Sequence, residues 1–214
     1  MSRCTTYLLI CALALCAAPS IAGPLDGDPN AYLGTWSGST PYQGFDLSNQ
    51  PTELTGYVDW AVYGPGDFPV AFTGYTPTPG ELTYAYQVYV TNDAPVTSLS
   101  VNLINPADNI GSFTGGGVSG DPTIAELLVP FDSANWFFTS IPNGGKSVGL
   151  VFSSPNLPIF LNGTVIDDGS VADVIPLPSP GPVPIPEPSS IVLALIGIAG
   201  LAWGCLRRRG LRRA

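Results

Sequence analysis

The sequence predicts an all-β protein whose body is an antiparallel β-sandwich of about eight or nine short strands. Three observations carry that expectation. Apolar residues recur with period two, and no long stretch has helical periodicity. Clusters of Gly, Pro, Asn and Asp interrupt the alternation at short intervals, in a chain with 25 Gly and 23 Pro. Cysteine is confined to Cys4, Cys11, Cys16 and Cys205, so the body must fold on its core without disulfides, and its length allows that.

The strands follow in order. In "GYVDWAVYG", Val58, Trp60 and Val62 point inward, with Asp59 and Ala61 outward. "FPVAFTG" is a shorter candidate. "LTYAYQVYVT" places Tyr84, Tyr86, Val88 and Val90 on one face and Thr83, Ala85 and Gln87 on the other. "TSLSVNLIN" does the same with Leu99, Val101 and Leu103. These last two segments read as neighbouring antiparallel strands joined by a turn near Asn92 to Pro95. "IAELLVP", "NWFFTS", "SVGLVFSS" and "IFLNGTVID" complete the set, and "TGGGVSGD" between them reads as a mobile loop. One solvated face per sheet is implied. The expected core is Trp60, Phe72, Tyr84, Tyr86, Val88, Leu99, Val101, Leu103, Leu127, Trp136, Phe138, Leu150 and Phe152.

Charge and composition exclude several functions. Between residues 23 and 188, sixteen carboxylates stand against one cation, Lys146. That stretch is near −15, a field that repels nucleic acid, so no nucleic-acid partner is expected. The chain has no histidine. Histidine-based nucleophile systems, histidine acid–base chemistry and the common zinc sites are therefore closed to it. Carboxylate chemistry and calcium binding remain open.

The two ends read as targeting segments. Residues 1–22 form a secretory signal peptide: Arg3, an apolar centre from Tyr7 to Ala18, then small residues at Ser20 and Ala22, with cleavage between Ala22 and Gly23. The exported β-sandwich domain spans residues 23–175. From Pro176 to Pro188 every second residue is proline. Proline locks φ and lacks a donor, so residues 176–188 are expected to stay out of any sheet, as a polyproline stalk of roughly 40 Å. Residues 189–214 hold an apolar run, Ile191 to Leu206, followed by Arg207, Arg208, Arg209, Arg212 and Arg213. As a helix the run is about 24 Å long, near the span of a bilayer core, and the arginines place the C-terminus in the cytoplasm and the body outside.

Pro186-Glu187-Pro188, a short apolar run and an arginine cluster, in that order, resemble the PEP-CTERM sorting signal of Gram-negative-type bacteria. The resemblance covers about residues 184–214. It implies a partner, an exosortase-type membrane transpeptidase that recognises the Pro-Glu-Pro motif and processes the tail. It also implies anchoring in the membrane followed by release to the cell surface or extracellular matrix, where exopolysaccharide and biofilm are the setting. The body is then expected to have a structural or adhesive role and no enzymatic activity. The alternatives are a calcium-dependent carbohydrate-binding module and a carboxylate-based polysaccharide hydrolase or lyase.

No catalytic residue and no metal ligand is assigned from the sequence, and no cofactor is expected, with Ca2+ the one candidate. "DGDPN" has the alternating oxygens of a calcium loop at Asp26, Asp28 and Asn30, but Ala31 and Ser37 stand where the glycine and glutamate of an EF-hand belong. Asp108-Asn109 and Asp167-Asp168 read as turn chemistry. Asn162-Gly163-Thr164 fits a glycosylation sequon and reads as a turn.

Overall fold

A computed structural model describes residues 25–92, 94–114, 120–128 and 133–182. The signal peptide with its Ala22–Gly23 cleavage point, most of the glycine loop, the Pro-Glu-Pro motif and the arginine-capped apolar run lie outside the described residues. Among the described residues no helix is long and apolar enough to cross a membrane, and the helical structure is one 3-10 turn, Tyr32–Gly34.

Ten strands form one antiparallel sheet: β1 (Ser37–Phe45), β2 (Pro51–Tyr63), β3 (Leu82–Val90), β4 (Val96–Asn102), β5 (Asp108–Phe113), β6 (Pro122–Leu128), β7 (Ser133–Ile141), β8 (Gly149–Ser154), β9 (Pro158–Ile166) and β10 (Val171–Pro180). Their order is β5-β8-β3-β2-β1-β10-β9-β4-β7-β6. The all-β antiparallel class is as the alternation predicts. The architecture is a single sheet, nearly closed like a barrel, rather than two separate sheets. At its centre β1 and β10 pair at Phe45 opposite Val171. Across the opening β7, next to the end strand β6, reaches the other end strand β5, where the Trp136 indole Nε1 donates to the Gly111 carbonyl at 2.9 Å. The rings of Tyr86 in β3 and Trp136 in β7 lie 5.9 Å apart although their strands are distant in the sheet order, so the curled sheet shares one interior.

That interior matches the predicted inward faces. Trp60, Tyr84, Tyr86, Val88, Leu99, Val101, Leu103, Trp136, Phe138, Leu150 and Phe152 are buried together, and Leu127 packs against them half-buried. Phe72 belongs elsewhere. "FPVAFTG" is not a strand, and its Phe68 and Phe72 pack with Tyr75 on the opposite side of the sheet, over Leu25, Tyr63, Phe113 and Val151. Phe72 stacks on Phe113 with ring centroids 4.6 Å apart.

This second layer overturns the expectation of one solvated face. Asp59, Ala61, Thr83, Ala85 and Gln87, predicted to face water, are all buried, and β3 and β8 are buried along their whole lengths. Periodicity reveals which residues share a face. It does not reveal that the connection between β2 and β3 folds back over that face. Gln87, trapped there, finds partners on both ends of its amide, whereas the Thr83 hydroxyl makes no hydrogen bond among the described residues. Gln87 Nε2 donates to the Ser147 carbonyl at 2.7 Å, and Gln87 Oε1 accepts from the Tyr89 hydroxyl at 2.8 Å. The Lys146 ammonium sits 5.7 Å from the centre of the Tyr89 ring.

Two further expectations fail for topological reasons. β3 and β4 are not neighbours: β3 lies between β2 and β8, and β4 between β7 and β9, so residues 91–95 cross from one half of the sheet to the other. Asn162-Gly163-Thr164 is mid-strand in β9 rather than a turn. Gly163 is required there, because a Cβ would come within 2.5 Å of the Leu177 side chain from β10.

The C-terminal strand and the candidate sorting site

The proline tract does join the sheet. Residues 176–180 complete β10, paired in antiparallel register with β9: Pro176 opposite Asn162, Pro178 opposite Phe160, Pro180 opposite Pro158. The stalk expected over residues 176–188 therefore loses its first five residues to the fold. The physical reason is the spacing of the prolines. Along a strand, N–H and C=O groups of alternate residues point to opposite edges. Prolines at every second position place all their missing donors on one edge, and the other edge stays competent to pair.

The proline edge faces the seam where β1 and β10 part. There the free carbonyls accept from side chains instead of from a strand. Thr40 Oγ1 donates to the Pro176 carbonyl at 3.1 Å and accepts from the Trp60 indole at 3.0 Å. The Tyr86 hydroxyl donates to the Pro178 carbonyl, and complete burial raises its pKa well above the usual range. Aromatic rings close the seam: Phe160 stacks on Trp36 at 5.2 Å and meets Trp60 edge-on at 5.3 Å.

Beyond β10 the chain is held for one more residue. Gly181 N–H donates to the Leu157 carbonyl at 2.8 Å, and the Asn105 side-chain amide donates to the Gly181 carbonyl. Ser179 Oγ donates to the Asn102 carbonyl. A Cβ at Gly181 would come within 2.6 Å of Ile159 Cγ2. None of these anchors was anticipated from sequence. The parity of the prolines was the available signal, since a strand with one blunted edge satisfies it as well as a free stalk does.

The sequence-predicted oxygen clusters are absorbed by the fold. Asp28 accepts from the Asn30 backbone at 2.9 Å and side chain at 3.0 Å, while its second oxygen accepts from Tyr63 Oη at 2.7 Å. It closes a turn and pins the N-terminal segment to β2. Asp167 accepts from the N–H groups of Gly169 and Ser170 and so builds the β9–β10 turn, as turn chemistry predicts. Asp108 and Asn109 open β5 rather than a turn, and Asn109 Nδ2 ties the β2–β3 connection to that strand through the Thr76 carbonyl at 2.7 Å. Among the described residues, no three of His, Cys, Asp or Glu gather as metal ligands would.

One carboxyl pair was not foreseen. Glu81, just before β3, faces Asp108 of β5. Its pKa is raised first by burial, then by the charge of Asp108 and by the hydrogen bond between the two side chains. Asp108 Oδ1 also accepts from Thr78 Oγ1 at 2.9 Å. Nearby, burial pushes the Tyr75 hydroxyl up to about 12. The folded chain thus holds the Glu81 proton more tightly than the unfolded chain does. The pair stabilises the fold fully below the ordinary glutamate value of 4.5, and that contribution is lost as pH rises through the raised value. Glu81→Gln is expected to unfold with the wild type near pH 4 and up to about 3 °C above it at pH 7, in thermal melts across that range.

No curated protein sequence and no solved structure matches this chain. Residues 184–209 match the PEP-CTERM protein-sorting motif. Pro186, Glu187, Pro188, Arg207, Arg208 and Arg209 fall inside the matched segment, while Arg212 and Arg213 follow it. The chain carries a PEP-CTERM protein-sorting motif, beginning three residues after Gly181 is fastened to the barrel.

Proposed function

We propose that this protein is exported, held at the membrane by its C-terminal segment, and processed by an exosortase-type membrane enzyme, so that the barrel is delivered to the cell surface or the exopolysaccharide matrix as a structural component. The motif match at residues 184–209 carries this reading. The signal-peptide pattern of residues 1–22 supports export. The barrel supports a structural role because most of its aromatic side chains are committed to packing. Most large aromatics line its two apolar layers, and the half-exposed Phe160 is stacked on Trp36 over the seam. Glu81 and Asp108 are in contact, whereas glycoside hydrolysis needs two carboxyls about 5–9.5 Å apart with sugar or water between them. That pair is therefore not spaced as a glycosidase pair would be.

The test is fractionation of cells with and without the sorting enzyme, with mass measurement of both termini. With the enzyme, the protein is expected outside the membrane fraction, starting at Gly23 and lacking the arginine-rich tail. Without it, the protein stays in the membrane with the tail intact. Identical location and mass in both strains would refute the sorting reading. Quenching of tryptophan fluorescence by an oligosaccharide, abolished by Phe160→Ala, would replace the structural role with carbohydrate binding.

A further inference from the structure

We propose that the end of the barrel from which the chain leaves, formed by Ile104, Asn105 and Leu157 around Gly181, is a docking surface for the membrane-embedded enzyme that takes the Pro186-Glu187-Pro188 motif. The inference rests on the sorting reading above and adds a second contact to it.

Chain length keeps the two molecules close. Gly181 is fixed at both its N–H and its C=O, by Leu157 and Asn105. Pro186 is five residues further on. Even fully extended, five residues span at most about 18 Å. An enzyme that grips Pro186 to Pro188 therefore has this end of the barrel within that distance. Had the proline tract been a free stalk from Pro176, the barrel could stand well clear of the enzyme. Its incorporation into β10 removes that freedom.

The surface at the exit suits such a contact. Ile104 is 57% exposed and Leu157 47% exposed, one on the β4–β5 connection and one on the β8–β9 connection. Both connections are pinned. Ser154 Oγ donates to the Pro106 carbonyl at 2.9 Å, and the buried Tyr84 hydroxyl donates to the Asn156 carbonyl at 2.8 Å. Neither 103–107 nor 154–158 contains a charged residue, in a body that is otherwise rich in carboxylates. Ile104 and Leu157 make an apolar, rigid patch beside the Glu81–Asp108 pair, and an enzyme surface near lipid headgroups can cover such a patch at low desolvation cost if the pair stays at its rim.

The experiment follows tail loss over time by mass, with the full chain in cells that contain the enzyme. Ile104→Glu combined with Leu157→Glu is expected to slow processing about tenfold, while the barrel melts near the wild-type temperature because both sites are exposed. A flexible Gly/Ser insert of about twelve residues after Pro182 is expected to slow it several-fold by diluting the barrel from the enzyme. Wild-type rates in the double variant would overturn the proposal. So would faster processing with the insert, since the barrel would then merely obstruct. Restoration of the wild-type rate by Ile104→Lys with Leu157→Lys would assign the surface to anionic lipid instead. Glu187→Ala separates the two readings: it is expected to block processing even if the double variant has no effect. Its processing at the normal rate would remove the sorting reading and the inference together.

Discussion

A chain that stops at Ser170 is expected to form no stable barrel, whereas one that stops at Pro182 is expected to unfold at the temperature of the full-length protein. The lost strand is β10, which lies between β1 and β9 at the middle of the sheet order. It buries Ala172, Ile175, Leu177 and Ser179. Ile175 and Leu177 alone are worth about 1.5–3 kcal/mol each on burial. Their removal also strips β9 of one neighbour, opens the space beneath Gly163 and leaves the buried Tyr86 hydroxyl without its acceptor. An orphaned buried hydroxyl costs about 1–3 kcal/mol more. Together these losses rival a whole-domain stability of about 5–15 kcal/mol. Far-ultraviolet circular dichroism and urea unfolding of the two truncations measure the difference. A cooperative transition in the shorter chain, at the urea concentration of the longer one, would show that β10 is an accessory. The same result bears on processing, because a sorting enzyme that leaves the barrel intact must cut beyond Gly181.

Trp136→Ala should destabilise the barrel by about 3–5 kcal/mol, the range for deleting a large buried aromatic. In a chain of this size that lowers the melting temperature by roughly 6–20 °C. Trp136 is fully buried, and its ring lies 5.9 Å from Tyr86 and 6.3 Å from Phe152. It therefore joins the β3–β8 side of the interior to β7. Its indole N–H also bonds to Gly111 in β5, so the substitution opens a cavity and removes a tie across the opening of the sheet. Trp136→Phe keeps most of the ring packing and is expected to lose about half as much. Calorimetry or urea unfolding of both variants would show it, and equal stability of Trp136→Ala and wild type would mean that the interior repacks without this tie.

Much of this molecule was legible as sequence because the deciding forces are local. Period-two alternation follows from strand geometry, so the inward faces of β2, β3, β4 and β8 were readable from Val58, Tyr84, Leu99 and Leu150 onward. Turn chemistry fixed Asp167 for the same reason. The sorting motif is a linear signal, readable at Pro186, Glu187 and Pro188 without any fold. What long-range packing decided was out of reach. Ala61 and Ala85 look outward by parity and are buried, because Phe68, Phe72 and Tyr75 of the connection between β2 and β3 pack over that face. β3 and β4 look like a hairpin and lie apart, because each finds its two partners elsewhere in the chain. The alternating prolines carry a free stalk and a one-edged strand equally well. The choice fell to the strand because β9 needed a partner on one edge, and Thr40 and Tyr86 could satisfy the carbonyls on the other.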